Sequence, residues 1–157
     1  MSVELSPKGS YGARLPKAPR WATKAFTSLN VGVFRLWGRR MRIQGRPLLL
    51  LTTVGARTGQ VRQSVLASFP GGDNSWLIVA SAAGAATHPG WLHNLVKNPD
   101  KVWIVTEGRR RRVRPESLRG AEREAAWQNV VALAPGYAGY TTKTDREIPI
   151  IRLTALE

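Results

Sequence analysis

Apolar residues recur with a helical period from Arg20 to about Arg42. Ala22, Phe26, Leu29, Val33 and Leu36 step by four, three, four and three, which lines one face. Trp21, Phe34 and Trp37 widen that face, and Lys24, Arg35, Arg39, Arg40 and Arg42 supply a positive side. The pattern predicts an amphipathic helix over 20–42. Gly32 and Gly38 weaken it, each costing about 1 kcal/mol against alanine.

The period then changes to two. Arg46–Val54, opening with Leu48–Leu51, predicts a strand, and Gly55-Ala56-Arg57-Thr58-Gly59 a turn. Gln60–Phe69 alternates, with Val61, Val65, Ala67 and Phe69 on one face and Arg62, Ser64 and Ser68 on the other. Gly71-Gly72-Asp73-Asn74 closes a hairpin onto a strand over Ser75–Ser81, and a loop of small residues, Ala82–Ala86, follows. Thr87 can cap a short helix over His88–Lys97, with Pro89 tolerated in its first turn. Strands are predicted over Lys101–Glu107, Arg109–Pro115 and Ile148–Leu153, and a helix from Ser117 or Gly120 to about Ala134. Residues 1–19 contain Pro7, Pro16, Pro19, Gly9 and Gly12 and read as a disordered or loosely docked basic arm. The rest, 20–157, forms a single domain. Six or so strands, mainly hairpin-linked, with three helices give an α+β class. A small antiparallel barrel with helices on its rim leaves no open edge.

Charge changes the picture more than composition does. The 157 residues carry 24 Lys+Arg against 10 Asp+Glu, a net charge of +14. Residues 1–46 alone hold +9 of it. Such a field favours anionic partners: nucleic acid, an anionic membrane face or a phosphorylated small molecule. The chain has no cysteine, which excludes a disulfide scaffold, thiolate catalysis, a zinc ribbon and an iron–sulfur site. The first 20 residues lack an apolar core of the secretory type, and the stretch Trp76–Ala86 is shorter than the ~20 residues that span a bilayer. A cytoplasmic protein is expected, or one attached peripherally to the inner membrane face.

Candidate chemistry narrows this further. No nucleophile elbow, Walker motif or dinucleotide fingerprint occurs. His88 and His93 are five apart without a nearby carboxylate, so no metal site is expected. Arg57 in the turn, Arg62 and Ser64 on the next strand, and the bare backbone of Ser81-Ala82-Ala83-Gly84-Ala85 offer the two common means of holding a phosphate or carboxylate. The same residues also read as a basic turn and a plain connecting loop. Trp91 and Asn94 lie in a segment with both histidines, and Tyr137 and Tyr140 follow a helix breaker, where loop tyrosines often meet ligands. Arg109-Arg110-Arg111-Arg112-Val113-Arg114 reads as an exposed edge strand rather than a nucleic-acid stripe.

Three segments resemble, in order, the signatures of the deazaflavin (F420)-dependent nitroreductase and quinone reductase family. They are Leu50–Arg62, His88–Pro99, and Tyr137–Tyr140 with Thr144–Ile150. The resemblance implies a split β-barrel that binds coenzyme F420 and passes its hydride to a quinone or a nitro compound. It implies that Arg57 and Arg62 hold the anionic tail, and that Val61, Ser64, Val65 and Leu66 line the deazaflavin. It further implies that Ala80 and Ser81 border the ring, that Ala82, Ala83 and Gly84 offer backbone, and that Trp91 and Asn94 complete the wall. Tyr137, Tyr140 and Ser81 are the catalytic candidates. A homodimer is implied by analogy with other split barrels. The chain departs from the family's best-known nitroreductases at Ala82, where a lysine is usual, and near Ala67 and Ala134, where tyrosines are usual; nitro-compound reduction is therefore less supported than cofactor binding. The positive N-terminal helix suits contact with an anionic membrane, where quinones reside. Two alternatives stand beside this reading: a split-barrel protein for a flavin, haem or fatty acid, and a nucleic-acid-binding module, which no recognition motif supports.

Overall fold

The computed structural model describes residues 2–14 and 17–156. Helix α1 (Arg20–Trp37) leads into a short hairpin of β1 (Arg42–Ile43) and β2 (Arg46–Val54). β3 (Val61–Ala67), β4 (Phe69–Pro70), β5 (Ser75–Val79), α2 (Gly90–Lys97), β6 (Trp103–Thr106) and β7 (Arg109–Ser117) follow. The chain ends with α3 (Gly120–Leu133), α4 (Ala138–Lys143) and β8 (Ile150–Ala155). The strand order is β1-β2-β6-β7-β8-β5-β4, with β3 on the other side of β2, and every ladder is antiparallel.

Closure depends on Ser68. β3 and β4 are one extended stretch that changes partner there, from β2 to β5. The Ser68 N–H and hydroxyl both donate to the Pro47 carbonyl, at 2.8 and 3.1 Å, which pins the switch. The stretch carries the sheet round to meet itself, and β3 keeps one unpaired edge: a split β-barrel.

Alternation then sorts the apolar residues. Leu49, Leu51, Ile78, Ile104, Val113, Ile151 and Leu153 form an inner cluster, plugged by Trp91, Leu92 and Leu95 of α2. Leu48, Leu50, Ala67, Phe69, Leu77 and Ile150 form an outer cluster, covered by Val31 and Phe34 of α1 and by Ala126 and Val130 of α3.

Several expectations are refined. The first helix ends at Trp37, where the chain reverses through Gly38 before β1, rather than at Arg42. Most of its apolar face points outward: Phe26, Leu29 and Leu36 are 65%, 64% and 79% exposed, and of that face only Phe34 is buried, together with Val31. Periodicity identifies an apolar face but not what covers it. The arginine-rich strand β7 is an edge only over its first half, where Arg109–Arg112 pair with β6 alone; from Val113 on it pairs with β8 and links the two parts of the sheet. Its arginines stay in the sheet by lying over aromatic rings, Arg110 over Trp103 and Arg111 over Trp76. The N-terminal arm, finally, lies against the barrel over residues 2–14. Val3 joins the inner cluster, Ser117 N–H donates to Ser2 O, Gly9 N–H to Ala86 O and Ala13 N–H to Gly84 O. Its proline and glycine content favours an extended backbone whose polar groups pair outside the arm; Pro16 lies outside the described residues. Helix α4 forms where the sequence pattern suggests only a loop, since six residues carry too little period to register.

Among the described residues no helix is long and apolar enough to cross a membrane.

Candidate functional site

The unpaired edge of β3 begins at the basic turn that carries Arg57. At the turn end, Asn94 on α2 accepts a hydrogen bond from Ala56 N–H at 2.9 Å and donates to Thr53 Oγ1 at 3.0 Å. Asn98 donates to Val54 O at 3.1 Å. These bonds seat α2 against the end of β2 and fix the turn bearing Arg57. Arg62 stands across the ladder from Thr53. Arg57 and Arg62 are both exposed, and among the described residues neither makes an ion pair. Asn94, expected as cavity wall, spends its amide on the turn.

Along β3 the candidates divide between two faces. Leu66 packs on the inner cluster with Ala80 and Trp91, which are buried. Ser64, opposite Leu51, is half-buried. Val65 packs on the outer cluster with Tyr137 and Tyr140. Val61 is 66% exposed at the strand's start, so it stands apart from the rest. A single ligand can meet both groups only at the strand's free edge.

Packed on α4 lies the one-turn helix Ala82–Gly84, in which Ala82, Ala83 and Gly84 all have positive φ, at 45°, 53° and 82°. Gly84 N–H donates to Ser81 O and Ala85 N–H to Ala82 O. The N–H groups of Ala82 and Ala83 have no partner among the described residues. The expectation that Gly84 offers a free N–H is therefore corrected: its amide is used within the turn, and Ala82 and Ala83 hold the free donors.

The tyrosines are unequal. Tyr137 is buried, edge-on to Phe69 at 5.3 Å, and burial, then the neighbouring Tyr140, pushes its pKa up to about 12. Its phenol thus stays protonated and faces the core more than a substrate. Tyr140 is half-buried, 5.2 Å from Tyr137, and its hydroxyl accepts a bond from Gln44 Nε2 at 3.2 Å. Lys143 Nζ lies 5.7 Å from the Tyr140 ring.

Sequence reasoning missed Arg146, His88 and Gln44. Arg146 is 4% exposed, and its guanidinium donates to the carbonyls of Ala85, Ala80 and Ser81 at 3.0, 3.1 and 2.9 Å and to His88 Nδ1 at 2.9 Å. Arginine only donates, so His88 Nδ1 must be the bare nitrogen and Nε2 carries the proton given to Ser6 O at 2.6 Å. Burial, opposed by the Ser6 bond and aided by the Arg146 charge, holds the His88 pKa below its ordinary value. Nothing in the spacing of these residues signals the cluster, because it joins segments 58 and 82 positions apart.

A separate groove of about 1570 Å³ lies under the C-terminal half of α1. Leu48, Leu50 and Val105 line it together with Arg35, Arg39, Arg40, Arg109 and Arg110. Of the candidate residues, Val61 borders it.

Comparison with known proteins bears on this arrangement. Residues 24–155 match the model of the F420H(2)-dependent quinone reductase family. The chain is 41% identical over 117 residues to an F420H(2)-dependent quinone reductase of Mycobacterium tuberculosis, covering 72% of this chain and 77% of the relative. It is similar in structure to an F420-H2 dependent reductase (FDR-A), with 34% identity and a TM-score of 0.61 over 72% of this chain and 98% of that one. It also resembles a solved domain-swapped dimer, with 30% identity and a TM-score of 0.63 over 84% of this chain and 98% of that one.

Proposed function

The chain belongs to the F420H(2)-dependent quinone reductase family, and on that basis we propose that it transfers a hydride from reduced coenzyme F420 to a quinone. The observations that carry the reading are the unpaired edge of β3 with exposed arginines at its turn end, and the Ala82 and Ala83 amides left without a partner in the turn that packs on α4, the helix of Tyr140. This donor set fits a planar ring bearing an anionic tail: forks and N–H groups for the phosphate, strand edge and apolar side chains for the ring.

Reduced F420, when bound, supplies the hydride. Arg57 and Arg62 grip the tail, and a net charge of +14 draws it in. Ser64, Val65, Leu66, Ala80, Ser81 and Trp91 bound the ring and keep water from it. Reduction of a quinone leaves negative charge on an acceptor oxygen, which takes up a proton. We assign that proton to Tyr140, whose half-buried hydroxyl is oriented by Gln44. Tyr137 holds the Tyr140 ring edge-on, and the Ser81 hydroxyl is a second donor to the same oxygen.

Three finer readings belong to the proposal. The exposed apolar face of α1 with its basic neighbours supports peripheral docking on an anionic membrane. The domain-swapped dimer among its structural relatives supports a homodimer. Nitro compounds are a second acceptor class.

Fluorescence titration with F420 tests the cofactor, and oxidation of F420H2 by a soluble quinone tests the reaction. Arg57→Ala and Arg62→Ala should each weaken F420 about tenfold without moving the melting temperature. Tyr140→Phe should lower kcat about a hundredfold and leave F420 affinity unchanged. No saturable binding of F420 by the wild-type chain refutes the reading.

A further inference from the structure

A buried guanidinium normally meets a carboxylate. Arg146 meets none among the described residues; Asp145 beside it is turned to the Ser10 hydroxyl and amide. It grips instead the carbonyls of Ala80, Ser81 and Ala85, which flank both sides of the turn that carries the free amides. That turn places two alanines, Ala82 and Ala83, in the left-handed region, which L residues without a polar side chain avoid. Something outside the turn must hold it there.

The geometry of the peptide unit says what this does. In a trans peptide the C=O and the following N–H point in opposite directions. Pinning Ala80 O and Ser81 O toward Arg146 therefore turns the Ser81 and Ala82 N–H groups away from it. The Ala85 N–H bond to Ala82 O turns the Ala83 N–H in the same manner. The positive charge behind the carbonyls also polarises each peptide and strengthens its N–H as a donor.

We propose that Arg146 is a positioning residue for the anion site: it acts through the Ser81 and Ala82 peptides to aim backbone donors at the phosphodiester of the cofactor's tail. This rests on the reading of the site as one for F420. His88 keeps the guanidinium in register, its Nδ1 accepting from Arg146 while its Nε2 is tied to the N-terminal arm through Ser6 O.

The test is fluorescence titration of wild type, Arg146→Gln and Arg146→Lys with F420 and with its ring-and-ribityl fragment lacking the phosphodiester. Near-UV circular dichroism establishes the fold of each variant. Both variants should bind F420 about tenfold more weakly and the fragment as wild type does. Lysine retains the charge but cannot reach three carbonyls at once, so wild-type affinity in either folded variant overturns the proposal. If the variants do not fold, amide resonances of the ¹⁵N-labelled wild-type chain decide. Those of Ala82 and Ala83 should shift on F420 binding, and an unmoved pair overturns the proposal. Failure of the wild-type chain to bind F420 at all is a different result, which removes the underlying reading.

Discussion

Helices α1 and α2 make opposite use of their apolar residues. α2 has eight residues and buries Trp91, Leu92 and Leu95 in the barrel, with Asn94 and Asn98 bonded to the end of β2. α1 has eighteen, yet buries only Val31 and Phe34 and exposes Trp21, Phe26, Leu29, Leu36 and Trp37. The longer helix has the weaker attachment. α2 is therefore part of the machinery that shapes the site, whereas the outward face of α1 is built for something other than this chain's core.

The contrast breaks most readily in the core. Leu92→Ala, at a side chain with no exposure, should cost about 2–5 kcal/mol of unfolding free energy. Leu29→Ala on α1 should stay within about 0.5 kcal/mol. Urea unfolding of the two variants checks this, and equal losses would mean that α1 is as structural as α2. Next comes Asn94→Ala, which leaves Ala56 N–H without its acceptor. It should cost about 1–3 kcal/mol and also weaken F420, because the turn bearing Arg57 loses its anchor. Stability lost with affinity intact would separate the turn from the site.

The outward face of α1 gives a sharper, smaller test. Trp21→Glu combined with Leu29→Glu should leave the melting temperature in place and reduce sedimentation with anionic vesicles by about tenfold. Neutral vesicles serve as the control, and unchanged sedimentation rejects membrane docking. The smallest effect concerns His88. Its folded-state pKa lies below its ordinary 6.5, chiefly through burial. As pH falls through 6.5 the unfolded chain takes up a proton that the folded one resists, so stability declines until the folded pKa is passed. Above 6.5 it is constant in this respect. The urea midpoint should therefore be lower at about pH 5.5 than at about pH 7.5, and His88→Gln should flatten the difference.

A similar contrast holds among arginines. Arg57 and Arg62 were legible as candidates because a basic turn after an apolar strand is a local pattern. Arg146 was not, although it lies within the closing signature, because its role consists of bonds to residues about sixty positions earlier. Tyr137 and Tyr140 look equivalent in the sequence, and burial alone separates them.

Local physics was enough for much of the molecule. Alternation along 46–70 and 75–79, the glycine turns and the helical stretches at 20–37, 90–97 and 120–133 follow from side-chain period and backbone sterics, which act over a few residues. The excess of positive charge is likewise a property of the chain whatever its fold. The tertiary structure decided what period cannot encode: which face of α1 is covered, that β7 passes from β6 to β8 halfway along its length, that Ser68 closes the barrel, and which amides stay free. Each depends on a partner distant in sequence, and burial is set by that partner rather than by the residue.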